Sequence, residues 1–277
     1  MTKELKEKHE VLKKYFAELG SAAIAFSSGV DSTFMLKVAH DVLGDKAVAL
    51  TAKSRFFPAR EKDEAEEFCQ REGIVHRIIE IDESAIPGVK ENPKNRCYLC
   101  KKALFERFLE TAKELNLACV CEGSNMDDNG DYRPGLKAIA ELGIKSPLRE
   151  CNLWKSEIRE LSKELGLATW NKPSFACLAS RFVYGEEITP EKLAMVERAE
   201  QVLLGLGFVQ ERIRIHSFGN DETSGVLARI EVVRQDFEKV IGHKDKIVSL
   251  LKEIGFSYVS LDLEGYRTGS MNETLKK

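Results

Sequence analysis

The chain has 277 residues, 43% hydrophobic and 31% charged, with a formal net charge of −3. That length suits one large domain with a smaller one, and the acidic balance argues against a protein whose main partner is a nucleic-acid backbone. No run of about 18 apolar residues offers a membrane span, and Met1–Gly20 is charged and amphipathic without the apolar stretch of a secretion signal, so a cytoplasmic protein is expected.

A helix is expected near Lys3–Leu19. The apolar run Ala22-Ala23-Ile24-Ala25-Phe26 then reads as a short buried strand that feeds into Ser27-Ser28-Gly29-Val30-Asp31-Ser32, after which Thr33–Ala39 reads as helix. Strand, small-residue turn and helix together suit phosphate. Gly29 lets the backbone approach an anion, the hydroxyls of Ser27, Ser28 and Ser32 add donors, and the helix N-terminus supplies unpaired N–H groups and a positive dipole end. Asp31 fits such a cradle once Mg²⁺ lies between its carboxylate and the phosphates. The expected ligand is a nucleotide with an exposed polyphosphate; the plainer alternative is a strand-to-helix turn whose Ser and Asp only cap the helix. No Gly-Lys-Ser/Thr follows, so this is not a Walker A loop.

Further along, strands are expected at Ala47–Ala52, Val75–Ile81 and Leu117–Cys121, and helices at Arg60–Arg71 (stopped by Gly73), Lys101–Leu115 and Leu153–Leu165. Helices between short apolar strands predict an α/β fold, a doubly wound parallel sheet covered on both faces, with ligands at the carboxyl ends of the strands. The aperiodic stretch Asn171–Pro190 marks a boundary. Beyond it, a helix at Glu191–Leu206, strands near Arg212–His216 and Leu227–Val232, a helical stretch Gln235–Ile254 and a last strand Ser257–Leu263 predict a smaller α+β domain. The expected division is 1–172, an active-site segment 173–189, and 190–277.

Seven cysteines in such a chain suggest thiol or metal chemistry before disulfides. Cys97-Tyr98-Leu99-Cys100 lies where a loop enters a helix, which puts two sulfurs on one side, suited to a metal or a redox pair. Cys177 sits in the aperiodic stretch. Three soft ligands fall short of a closed zinc site but suit a [4Fe–4S] cluster with one open iron; buried thiols without a joint role are the alternative. Cys69, Cys119, Cys121 and Cys151 read as core or surface thiols. Arg212 and Arg214 share one strand face and are placed to grip a phosphate, or else line a solvated face. Asp127, Asp128 and Asp131 are candidates to position Mg²⁺, although a Ser-Asn-Asp loop needs no ligand to explain its turns.

The pattern Ser-x-Gly-x-Asp-Ser resembles the PP-loop of the ATP pyrophosphatases, with Ser28 where a glycine is most often found. More specifically, Arg96-Cys97-Tyr98-x-Cys100-Lys101, Glu122-Gly123-Ser124-Asn125-x-Asp127-Asp128, Asp131-Tyr132-Arg133-Pro134-Gly135, Ser180-Arg181 with Tyr184-Gly185, Arg212-x-Arg214 and Gly265-Tyr266-Arg267-x-Gly269-x-Met271-Asn272 resemble the LarE family across nearly the whole chain. The resemblance implies an ATP-dependent sulfur transferase of nickel-pincer cofactor assembly. Such an enzyme adenylates a carboxylate of pyridinium-3,5-biscarboxylic acid mononucleotide and replaces AMP with sulfur. It implies ATP and Mg²⁺ at Ser27–Ser32, with Ser54 among the cofactor-binding residues, phosphate at Arg212 and Arg214, Arg181 against phosphate or AMP charge, and a metal near Glu200. For the sulfur it implies either a [4Fe–4S] cluster on Cys97, Cys100 and Cys177 or the sacrifice of one cysteine, Cys177, although in an ungapped reading the sacrificed position falls at or next to Ala176. A homo-oligomer is expected, with a sulfur donor as a further partner. The competing readings are a PP-loop tRNA thiolase, which needs basic stripes or an RNA-binding module, an amide synthetase, which needs ammonia delivery, and a non-catalytic nucleotide-binding regulator.

Overall fold

Period-two alternation of small and branched residues decides the first sheet. In the computed structural model, which describes residues 2–128, 134–173, 176–219 and 224–276, strands β1 (Ala22–Ala25), β2 (Ala47–Lys53), β3 (His76–Glu80) and β4 (Val120–Cys121) pair in parallel in the order β3–β2–β1–β4. Asp131, Tyr132 and Arg133 of the sequence motifs lie outside the described residues. On one face, Ala22, Ile24, Ala47, Ala49 and Cys121 pack with α1 (Lys3–Leu19), α2 (Val30–Leu43), α3 (Ala59–Glu72), α6 (Pro147–Glu150) and α7 (Lys155–Glu164). On the other, Ala23, Val48, Leu50 and Val120 meet Phe105 and Phe108 of α4 (Arg96–Glu114) and Ile139 of α5 (Pro134–Glu141). Burial on both faces is what made β1, β2 and β4 read as apolar runs, whereas β3 at the sheet edge is only partly buried. The chain winds outward from β1 to β3, then returns to the other side of β1 as β4. This is the topological switch point where open α/β sheets bind ligands.

The chain divides into two compact units, residues 1–82 with 97–175, and residues 83–96 with 176–277. Residues 83–96, read from sequence as part of the first domain, belong to the second unit through backbone pairing. Gly185 N–H donates to the Asn92 carbonyl at 2.9 Å and Ile188 N–H to that of Lys90 at 2.8 Å, while the Asn92 side chain donates to the Val183 carbonyl at 2.8 Å. In this unit β5 (Glu211–Phe218) runs antiparallel to β6 (Gly225–Val232), and β7 (Tyr258–Leu261) runs parallel to β6. Helix α8 (Pro190–Gly205) packs on β5, and α10 (Lys244–Ile254) packs on α8. The single helical stretch expected over 235–254 is split, α9 (Phe237–Gly242) ending before His243; glycine is the weakest ordinary helix former and permits the break. Among the described residues no helix is long and apolar enough to cross a membrane.

Candidate functional site

In the first unit the carboxyl end of β1 opens into the serine turn. Gly29 is the N-cap of α2 and no described side chain caps that helix, so its leading N–H groups are not taken up by a Ser or Asp cap. Ser32 Oγ closes the turn, accepting from Ser27 N–H at 3.3 Å, lying 3.2 Å from Ser27 Oγ and donating to the Gly29 carbonyl at 3.3 Å. Ser28 carries the conformational load, with φ at +51°, a left-handed backbone that costs a non-glycine residue about 1–2 kcal/mol. It is held there by its hydroxyl, 3.2 Å from both the Glu61 carbonyl and Glu64 Oε2, and by Lys172 Nζ on its carbonyl at 3.0 Å. Lys172 also pairs with Glu64.

Asp31, in the first turn of α2, accepts from Asn125 Nδ2 at 3.1 Å and forms an ion pair with Lys155 Nζ. Asn125 belongs to the loop after β4, and that loop passes very close: a Cβ on Gly123 would sit 3.4 Å from Asp31 Cβ and from Ser32 N. The two loops flanking the switch point are therefore packed together, with Asp31 between them. Asp127 accepts the Lys155 backbone N–H at 2.6 Å and Asp128 that of Asn125 at 2.9 Å, so both shape the loop and the start of α7. Ser54 follows β2, and its Oγ accepts Phe56 N–H at 2.9 Å, a turn-forming role.

All seven cysteines are outside disulfides. Cys97 and Cys100 are partly exposed on the first turn of α4, three residues apart and so on one side of it. Cys177, also partly exposed, precedes a 3₁₀ turn in the second unit, where its sulfur accepts from Arg96 Nη1 at 3.4 Å. Among the described residues no group of three or more His, Cys, Asp and Glu side chains is gathered as a metal site would need. Burial pushes the Cys69 thiol up to about 12 and that of Cys151 up to about 11, in keeping with inert core thiols.

The second unit buries a layer of charge. Arg181, fully buried, forms a two-pronged pair with Glu200 on α8, Nε to Oε1 at 2.8 Å and Nη2 to Oε2 at 2.9 Å, while Nη1 donates to the carbonyls of Ala176 at 2.6 Å and Cys177 at 3.1 Å. Burial alone would lower the guanidinium's pKa; the Glu200 carboxylate outweighs it and raises it. Glu200, expected near a metal, gives both oxygens to Arg181 and accepts Ile213 N–H besides, at 3.1 Å. Arg212 and Arg214 do share a face of β5, but both are buried there. Arg214 donates through Nε and Nη2 to Glu231 Oε2 at 3.0 and 2.8 Å and through Nη1 to the Ser180 carbonyl at 3.0 Å. Burial and then the neighbouring Arg181 charge lower the pKa of Arg212, whose guanidinium lies 5.2 Å from the centre of the Tyr266 ring. The structure thus gathers Ser27–Ser32 in one unit and Cys177, Arg181, Glu200, Arg212 and Arg214 in the other. Sequence reasoning missed Lys155, Lys172 and Glu231. Only Glu231 left a local signal: Arg229 and Glu231 alternate with Ile230 and Val232, facing Arg214 and Arg212 across the ladder.

No protein-family model matches the chain. It is 44% identical over 275 residues to an uncharacterised protein of Synechocystis, covering 99% of this chain and 100% of that one. It is 37% identical over 274 residues to the pyridinium-3,5-bisthiocarboxylic acid mononucleotide synthase of Lactiplantibacillus plantarum, covering 99% and 96%. Over 66% of its length it is 31% identical to a component of the glutamine-hydrolysing GMP synthase of Thermococcus kodakarensis, spanning 64% of that protein.

Proposed function

The chain belongs to the LarE family of PP-loop enzymes, and on that premise we propose that it is an ATP-dependent sulfur transferase of nickel-pincer cofactor assembly. Its substrate is pyridinium-3,5-biscarboxylic acid mononucleotide. A substrate carboxylate oxygen bonds to the α-phosphorus of ATP as the bond to the β-phosphate oxygen breaks and pyrophosphate leaves. Sulfur then bonds to the activated acyl carbon and AMP departs. The likeness to the Lactiplantibacillus synthase along almost the entire chain carries this reading, and the turn of Ser27–Ser32 at the sheet's switch point supports it.

Within it, the N–H groups opening α2 and the hydroxyls of Ser27 and Ser32 bind the polyphosphate. Asp31 fits a cation, since Lys155 Nζ already faces its carboxylate; Mg²⁺ there offsets the charge of the phosphates. The buried arginines of the second unit, Arg212 and Arg214, bind the substrate phosphate. Glu200 we assign to holding Arg181. The thiols of Cys97, Cys100 and Cys177 have the donor chemistry of a [4Fe–4S] cluster. Such a cluster would supply transferable sulfide. A cytoplasmic location is part of the same proposal, with free thiols in keeping with it.

The test is a single turnover with protein purified without oxygen, with iron and sulfide analysis beforehand and mass spectrometry of product and protein afterwards. We expect AMP, pyrophosphate and the thiocarboxylate, iron lost in each of Cys97→Ala, Cys100→Ala and Cys177→Ala, and a protein mass unchanged by turnover. Loss of one H₂S from Cys177, with Cys97 and Cys100 dispensable, would establish the sacrificial route instead. No AMP with this substrate would overturn the assignment.

A further inference from the structure

The C-terminal segment after β7 meets Arg212 and Arg214 of the buried charge layer and Arg229 beside it. Tyr266 lays its ring against Arg212, with guanidinium carbon and ring centre 5.2 Å apart. Ser270 Oγ accepts from Arg214 Nη2 at 3.1 Å and donates to Glu231 Oε1 at 3.0 Å. Arg229 Nη2 reaches the Met271 sulfur at 3.4 Å, and Asn272 Oδ1 accepts from the Tyr184 hydroxyl at 2.9 Å. The segment is fixed at its start, where Tyr266 N–H donates to the carbonyl of Val232, the last residue of β6, at 2.9 Å. Gly265, at φ +75°, is what allows that approach: a Cβ there would lie 2.9 Å from the same carbonyl oxygen.

From this we infer that residues 265–272 form a strap that positions the phosphate-binding arginines, with Tyr266 the positioning residue for Arg212 and Ser270 for Arg214. The inference rests on the reading that these arginines bind the substrate phosphate. The physical need is plain at Arg212. It is 2% exposed and lies beside the Arg181 cation, so both burial and repulsion oppose its charge and its place, and the Glu200 and Glu211 carboxylates offset them only in part. The negative face of a tyrosine ring opposes both effects, and a flat ring fixes the plane of the guanidinium, which a two-pronged grip on phosphate requires. At Arg214, Ser270 ties the guanidinium and the carboxylate that neutralises it into one arrangement, so the arginine keeps a set direction.

The experiment measures binding of pyridinium-3,5-biscarboxylic acid mononucleotide and of the matching nucleoside without phosphate, by calorimetry on the full chain; the ratio of the two affinities is the phosphate preference. Tyr266→Leu is expected to cut this preference about tenfold, Tyr266→Phe to keep it, and Ser270→Ala to cut it about threefold, each with ATP affinity unchanged. A merely structural strap would weaken both ligands alike and leave the ratio where it was. A folded Tyr266→Leu protein with wild-type preference, or a Tyr266→Phe protein as impaired as Tyr266→Leu, overturns the inference. If Tyr266→Leu does not fold, an unchanged ratio in Ser270→Ala does so. An Arg212→Lys protein with full phosphate preference would instead sink the underlying assignment of the phosphate site. Loss in Arg212→Lys beside a normal Tyr266→Leu refutes the strap alone.

Discussion

The two units of this protein hold their functional charges in opposite ways. In the first, Asp31 is met by a lysine, Lys155, with side chains 21% and 25% exposed; in the second, Arg181 and Glu200 are 0% and 3% exposed and joined by two parallel bonds. A lysine is a point charge on a flexible stem, whereas the planar fork of an arginine locks onto a carboxylate. The first arrangement suits the proposed role of Asp31, in which one cation gives way to another as Mg²⁺ and polyphosphate arrive. The second suits a framework whose charges keep their places while ligands come and go.

The largest expected effect tests the exchangeable side. Asp31→Ala removes the carboxylate proposed to receive Mg²⁺ while leaving the packed loop after β4 in place. Pyrophosphate release should fall by about 10²–10³-fold, the loss typical of removing one electrostatic stabiliser from a reacting centre, with binding of the mononucleotide kept. Wild-type pyrophosphate release would show that the turn of Ser27–Ser32 does not hold the reacting phosphates.

The fixed side is tested by stability. Arg181→Ala removes both parallel bonds from the buried Glu200 carboxylate, which costs about 3–5 kcal/mol, read as an earlier chemical unfolding transition. Lys155→Ala breaks a partly exposed pair and should cost about 1 kcal/mol at most. Replacing both members of the buried pair, Arg181→Met with Glu200→Leu, should restore part of the stability, the rest being lost with the backbone partners at Ala176, Cys177 and Ile213. Equal losses for Arg181→Ala and Lys155→Ala would erase the contrast between the units.

The same contrast explains what could be read in advance. The PP-loop turn, the strands β1 to β4 and the α/β class were legible because they are local: apolar runs of strand length, small residues at the turn, helical spacing after it. The partners of the turn were not. Lys155 and Lys172 lie 124 and 144 residues from Asp31 and Ser28, and a lysine at a helix start or in an aperiodic stretch carries no mark of where it reaches. Arg212 and Arg214 were placed on one face correctly, but spacing could not tell a solvated face from a buried one. That difference lies in the facing residues of β6 and in the tail, which supply Glu231 and Tyr266.

The smallest expected effect concerns Ser28, and it separates two costs within the turn itself. In the left-handed region a side chain at this position is strained, and glycine relieves that strain at no steric cost. Yet the one proton of the Ser28 hydroxyl is shared between the Glu61 carbonyl and Glu64, and a hydrogen bond contributes about 0.5–1.5 kcal/mol. Ser28→Ala keeps the strain and discards the bonds, so it should destabilise the first unit by about 1 kcal/mol. Ser28→Gly discards both, and the relief of about 1 kcal/mol offsets the lost bonds, although glycine's greater freedom in the unfolded chain returns about 0.5–1 kcal/mol of that gain. The order of denaturation midpoints should therefore be wild type, then Ser28→Gly, then Ser28→Ala, within a narrow span. Should Ser28→Ala match the wild type, the hydroxyl bonds would be contributing nothing. The serine would then be held left-handed by Lys172 on its carbonyl alone, the same flexible kind of contact that Lys155 makes with Asp31.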